Sequence, residues 1–323
     1  MKTRAVAIAN DPLAERAAQE FLQGAGSAVG AVLCGFFAAA GAYAGVLLGP
    51  LNVMTIGIGA GRRAFDGRLR QPGLGTKRPR GFRSGDPVPD AARVAVPTSV
   101  SAVLVAYNYH GGDKLAALLR PSIAQAERCG APGRAALLRR IRAVGAVALA
   151  EPSFVRPLLR VAGLSEGGLL TPADFGKAPD MDQPAVQRRV SGAALCEPPW
   201  AAECDAAHDW KALGIGYAVL AVDSHGVFAM ANYYRIKDGL LIEDLELEMP
   251  PVAVPVQRGV TRLAPGSRLP TPAPIAARIS ATGVPLEALA APAVNRLNNK
   301  LVEHPPLRVR RDPSTLDVDA ARA

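Results

Sequence analysis

The chain has 323 residues, 49% of them hydrophobic and 20% charged, which is a globular composition that excludes a disordered chain and allows one large domain or two ordinary ones. Its formal charge of +9 is unevenly spread: Arg62, Arg63, Arg68, Arg70, Lys77, Arg78, Arg80 and Arg83 are opposed within their segment only by Asp66. Four scattered cysteines, Cys34, Cys129, Cys196 and Cys204, exclude a disulfide framework.

The first residues reach an Asp11-Pro12 turn before a signal-peptide core could form, so they predict an opening strand and a cytoplasmic protein. Asp11 as N-cap, Pro12 at the first position and Gly24 beyond the end punctuate an amphipathic helix, with Leu13, Ala17 and Phe21 on one face. Ser27 to about Leu48 is apolar all round and predicts a central buried helix. Its charge-free run is long enough for a bilayer, but Pro50, Asn52 and the many small residues favour a core helix, so no membrane association is expected. Residues 66–92 are rich in Pro and Gly and predict a long loop, and Arg93–Pro97 a short strand. Helical patterns follow at 98–108, 114–129 with a break at Pro121, 134–149 and 153–162. Thr171-Pro172-Ala173-Asp174 carries the residues of a further helix start.

Residues 176–210 are polar and Pro-rich, and are expected to be a connector. Beyond them the period changes to two: Ile215–Val222 and Gly226–Tyr234 predict a hairpin around Asp223-Ser224-His225-Gly226. Further strands are expected at Pro274–Ile279 and Pro306–Val309. Helices first and strands later indicate an α+β fold rather than alternating βαβ units.

Several segments resemble, in the same order, the motifs of the gamma-glutamyltransferase family. Ala25-Gly26-Ser27-Ala28-Val29-Gly30-Ala31 is similar to its Gly-Gly-Asn-Ala-Val-Asp-Ala, and Asp66-Gly67-Arg68-Leu69-Arg70-Gln71-Pro72 to its Asp-Phe-Arg-Glu-x-Ala-Pro. Gly167-Gly168-Leu169-Leu170-Thr171-Pro172-Ala173-Asp174 resembles Gly-Gly-Leu-Leu-Thr-x-x-Asp, and Arg262 to Arg268 matches Asn-x-x-x-Pro-Gly-x-Arg in spacing. Pro285 to Pro292 resembles the closing Ala-x-x-Ala-Pro helix. The resemblance implies a four-layer αββα amino-terminal-nucleophile sandwich in one domain. Residues 1–190 would form its large-subunit-like part, 191–210 the connector and 211–323 the small-subunit-like part.

The departures from that pattern concentrate at the chemistry. Gly216 to Gly226 lies on the family's Thr-Thr-His-x-Ser-Val-Val-Asp-x-x-Gly, which puts Gly216 where the nucleophilic Thr belongs and Ala218 where the His belongs. A nucleophile of this kind needs a hydroxyl or thiol beside its own freed amine, and glycine has neither. The family's Gly-Gly oxyanion turn is missing between Ile279 and the closing segment, and its amine-binding motif is not recognisable in Leu241 to Glu246. No catalytic residue is therefore assigned. The expected protein is uncleaved and inactive, acting as a binding or partner subunit beside an active paralogue. The alternatives are an active gamma-glutamyl or amide hydrolase or transferase with a relocated nucleophile, and a membrane-anchored structural protein.

Arg68 stands where the family binds the glutamyl carboxylate, a group that a guanidinium suits. Arg62, Arg63, Arg70, Lys77, Arg78, Arg80 and Arg83 are the expected partner-contact surface, steering an acidic protein. Cys196, Cys204 and His208 have spacing too loose for a zinc site, so no metal is expected. Gly57-x-Gly59-x-Gly61 lacks the helix a dinucleotide needs, and the basic stretch lacks aromatic interleaving, so neither a cofactor nor nucleic acid is expected.

Overall fold

The computed structural model describes residues 4–57, 61–77, 79, 81–176, 180–190, 193–201, 214–270, 275–280, 285–290, 307–312 and 314–322. Strand β1 (Val6–Ala9) leads into helix α1 (Pro12–Gln23). Asp11 caps that helix, its Oδ1 accepting from the N–H groups of Leu13 at 2.8 Å and Ala14 at 3.0 Å. Ser27 caps α2 (Ala28–Ala42) through the Gly30 N–H at 2.9 Å. Helix α2 is shorter than expected, ending at Ala42 instead of near Leu48. The next residues turn to bond other backbone: Gly45 O accepts from Ile236 N, Pro50 O from Tyr234 N and Ala44 O from Glu248 N. The approach is tight enough that a Cβ on Gly45 would sit 2.1 Å from the Ile236 carbonyl oxygen.

Two strands then form a hairpin, β2 (Leu51–Gly57) and β3 (Gly61–Gly67), and only the last two residues of β3 fall within the stretch expected to be loop. The expected strand at Arg93–Pro97 is reduced to a single bridge between Val96 and Arg70. Helices α3 (Ser99–His110), α4 (Leu115–Arg128), α5 (Pro132–Val144) and α6 (Pro152–Ala162) follow the predicted order. Helix α4 runs through Pro121 unbroken. Leu118, Leu119, Ser122 and Ile123 around it are buried, and that packing outweighs the roughly 3 kcal/mol that an internal proline costs. Thr171 forms the anticipated capping box with Asp174, on a short 3₁₀ turn.

The segment 176–210 holds strands as well as loop: β4 (Asp182–Pro184), β5 (Val186–Val190) and β6 (Ala193–Glu197). The hairpin β7 (Gly214–Val222) and β8 (Phe228–Ile236) is as predicted, and β9 (Leu240–Ile242) and β10 (Leu247–Met249) make a small separate ladder. The remaining strands are β11 (Ile275–Ile279), β12 (Pro285–Ala290), β13 (Leu307–Arg311) and β14 (Val318–Arg322). Within the expected closing helix, 285–290 is therefore a strand. Its Leu, Glu and Ala favour helix, but β11 and β13 take both its edges and Ala288 and Ala290 fill the core between the sheets.

The first sheet has the order β1-β7-β8-β2-β3-β4 and the second β14-β13-β12-β11-β6-β5, all pairs antiparallel. Alternate residues of the first sheet point to opposite cores. Tyr217, Val219 and Ala221 join the helices, while Ala218, Leu220 and Val222 pack with Ile275, Ala277 and Leu307 of the second sheet. The described layers thus run helices, first sheet, second sheet, and the outer face of the second sheet carries the Glu287–Arg308 ion pair. Among the described residues no helix is long and apolar enough to cross a membrane.

Candidate functional site

The register of the first sheet aligns one polar row on the face toward the second sheet. Ala218 stands opposite Asn232, Asn232 opposite Asn52, and Asn52 opposite Asp66. These positions share parity with Met54, Leu220 and Met230 of the inter-sheet core, so the row lies at the end of that core. With strands about 4.8 Å apart it spans roughly 14 Å. One row further along lie Gly216, opposite Tyr234, and Pro50, whose carbonyl accepts from Tyr234 N.

Asp66 anchors the row. It is buried, and it accepts from Arg68 N at 3.0 Å, Arg68 Nε at 3.1 Å and Arg68 Nη2 at 3.0 Å. Arg268 Nε reaches the same carboxylate at 3.1 Å. A second tie joins the two arginines: Arg268 Nη1 donates to the Arg68 carbonyl at 3.0 Å and to Thr98 Oγ1 at 3.2 Å, while Thr98 donates to that carbonyl at 2.6 Å. Trp200 closes the site. Its ring lies 5.0 Å from the Arg68 guanidinium carbon, and its Nε1 donates to Asn52 Oδ1 at 2.9 Å.

One carboxylate therefore pairs with the buried Arg68 and the half-buried Arg268, and Arg70 lies close enough to add to the positive field. Burial lowers the Arg268 pKa, Asp66 partly offsets this, and Arg70 and Arg68 push it further down. Such a site favours an incoming anion. Among the described residues of β7, Gly216 and Ala218 face this side, and neither carries a hydroxyl or thiol.

Arg68, the residue expected to bind a carboxylate, lies buried in this cluster with its guanidinium engaged by Asp66. The basic segment around it, however, is not one surface. Arg70 is buried, with 7% of its surface exposed, and cannot belong to an exposed contact face. Arg63 is held by Asp182 through two hydrogen bonds and lies over the Tyr109 ring at 5.2 Å. Arg62, Lys77 and Arg83 are exposed, while Arg78 and Arg80 lie outside the described residues. Cys204 and His208 also lie outside them, and no group of metal-ligating residues occurs among the described ones.

Asp66 and Arg268 stand in segments that match family motifs, so spacing could have found them. Trp200 and Asn232 carry no such signal, because only sheet register brings them to the row. A hydroxyl–imidazole pair does occur elsewhere: His110 Nε2 lies 2.9 Å from Thr55 Oγ1. Thr55 is fully buried in the sheet and offers no open approach to a substrate carbonyl.

No family model matches the sequence, and no curated protein matches it. Solved structures do. The fold is similar to that of cephalosporin acylase from Bacillus halodurans, with a TM-score of 0.75 and 12% identity over 99% of this chain and 94% of that one. It is similar to gamma-glutamyltranspeptidase from Helicobacter pylori, with a TM-score of 0.52 and 19% identity over 63% of this chain and 73% of that one. The gamma-glutamyltranspeptidase from Pseudomonas nitroreducens, solved with L-DON, gives a TM-score of 0.50 and 20% identity over 60% and 72%. At these identities the likeness is one of fold: the α+β sandwich of amino-terminal-nucleophile hydrolases expected from the sequence.

Proposed function

We propose that the protein is a gamma-glutamyltransferase-like scaffold that neither cleaves itself nor hydrolyses amides, and that it serves as a binding or partner subunit beside a catalytically intact relative. The observation that carries this reading is the pair Gly216 and Ala218 on the inward-facing positions of β7. Self-cleavage and acyl transfer by this fold need a hydroxyl or thiol there. The groups along the row are amides, a carboxylate, guanidiniums and an indole, which can bind a carboxylate and cannot attack a carbonyl. The Asp66–Arg68–Arg268 cluster supports retained recognition of a carboxylate, with Trp200 limiting access of water.

The partner role is tested on the exposed charges. The native protein is expected to purify at fixed stoichiometry with a second subunit. Replacing Arg62, Lys77 and Arg83 together by Glu should weaken that association and flatten its dependence on salt. A monodisperse monomer that recovers no stoichiometric partner, or a triple variant that associates unchanged, contradicts this part of the reading.

A further inference from the structure

A separate cavity of about 260 Å³ lies between the amino-terminal end of α3 and the turn at Asp174. Its walls are mostly apolar, including Leu48, Val147, Leu149, Phe154 and Phe175. Two unsatisfied sets of donors meet there. The first is the start of α3: the first helical N–H bonded to backbone is that of Ala102, which donates to Thr98 O. The N–H groups of Ser99, Val100 and Ser101 have no acceptor among the described residues, and Thr98, Ser99 and Ser101 all line the cavity. The side chains that could cap them are used elsewhere, Thr98 Oγ1 on the Arg68 carbonyl and Ser99 Oγ on the Leu47 carbonyl at 2.7 Å.

The second set belongs to Arg70, which lines the same cavity and is more than nine-tenths buried. Its Nη2 donates to the Asp174 carbonyl at 2.9 Å; among the described residues its buried Nε has no partner and no carboxylate pairs with it. The one acidic side chain on the wall, Asp174, is occupied by Gly73 N, Leu74 N, Thr171 N and Thr171 Oγ1. Burial lowers the Arg70 pKa, and an anion in the cavity would relieve that cost. A buried guanidinium beside an open helix amino terminus is a built anion site.

We propose that this cavity binds a monocarboxylate with a compact apolar body, the carboxylate lying between Arg70 and the amino terminus of α3. Arg70 supplies one positive charge and the Asp174 carboxylate close by opposes a second negative one, so a monoanion is favoured over a dianion. The volume is small among ligand cavities, which run from about 300 to 1,000 Å³, so a short branched or aromatic acid fits better than a long acyl chain.

Calorimetric titration of the whole chain with phenylacetate tests this. Saturable one-site binding is expected, with phenylacetamide and inorganic phosphate each at least roughly tenfold weaker, the scale of one lost charge-assisted hydrogen bond. Arg70→Met should lose roughly tenfold or more. Ser101→Phe, which fills the cavity and keeps the charge, should abolish binding and carries the test should the methionine variant fail to fold. Absence of phenylacetate binding to the folded native chain, equal binding of acid and amide, phosphate as the tighter ligand, or Ser101→Phe that binds like the native protein each overturns the proposal.

Discussion

Asp66 is the residue on which the polar row depends most. It is the carboxylate that the buried Arg68 and the half-buried Arg268 share, so Asp66→Asn removes the charge that pairs with both. Breaking a buried pair from one side costs roughly 3–5 kcal/mol. The urea midpoint should fall accordingly with an unchanged slope. A midpoint close to the native one would show that the cluster is not buried as described. The thiols give an independent check. Burial pushes Cys34 up from 9.0 to about 12, whereas Cys129 is exposed. The thiolate is the reactive form, so at about pH 8 an alkylating reagent should modify Cys129 and leave Cys34 until the chain unfolds. The folded state holds the Cys34 proton more tightly than the unfolded one. Its contribution to stability is therefore present below 9.0 and lost as pH rises toward about 12. Prompt labelling of Cys34 in folded protein would contradict its burial. At this scale the sequence is informative about identity and silent about pairing. Arg68 is legible through its motif, but a count of charges along 62–83 cannot distinguish exposed Arg62 from buried Arg70. That distinction is made by Val96, Asp174 and Arg268, which are distant in the chain and pair with Arg70.

Elements with strong local punctuation are legible in the amino-acid sequence alone. Helix α1 with Asp11, Pro12 and Gly24, and the β7–β8 hairpin with its Asp-Ser-His-Gly turn, carry their own start and stop signals. Strands that depend on a distant neighbour are not. Strands β5 and β6 sit in a polar, Pro-rich stretch and are strands because β11 continues their sheet. Strand β12 has helix-forming residues and is held extended by β11 and β13. The site belongs to the same scale, since register alone aligns Ala218, Asn232, Asn52 and Asp66. This leads to a prediction for β7. Gly216→Thr supplies one hydroxyl but no imidazole at 218; the oxyanion turn expected to be missing falls on residues 281–284, outside the described ones, and each oxyanion donor absent from such a site is worth about 3–4 kcal/mol. The variant should release no product from a chromogenic gamma-glutamyl amide. Turnover above buffer would show that the site retains more of its catalytic frame than its described residues indicate.

For the whole molecule, the fold follows from motif order more than from similarity. Identity to the cephalosporin acylase structure is 12%, yet the superposition covers 99% of this chain. A chain that keeps helix caps, inter-sheet core and the arginine–carboxylate cluster while placing Gly and Ala at the inward positions of β7 has a frame suited to binding. Composition could not foresee which of the basic residues are exposed: Arg62, Lys77 and Arg83 are, whereas Arg63 pairs with Asp182 and Arg68 and Arg70 are buried. This scaffold is expected to stay whole, and the decisive experiment is intact-mass measurement after prolonged incubation. A single species at the mass of the undivided 323-residue chain is the predicted result; two fragments that break between residues 203 and 224 would contradict it.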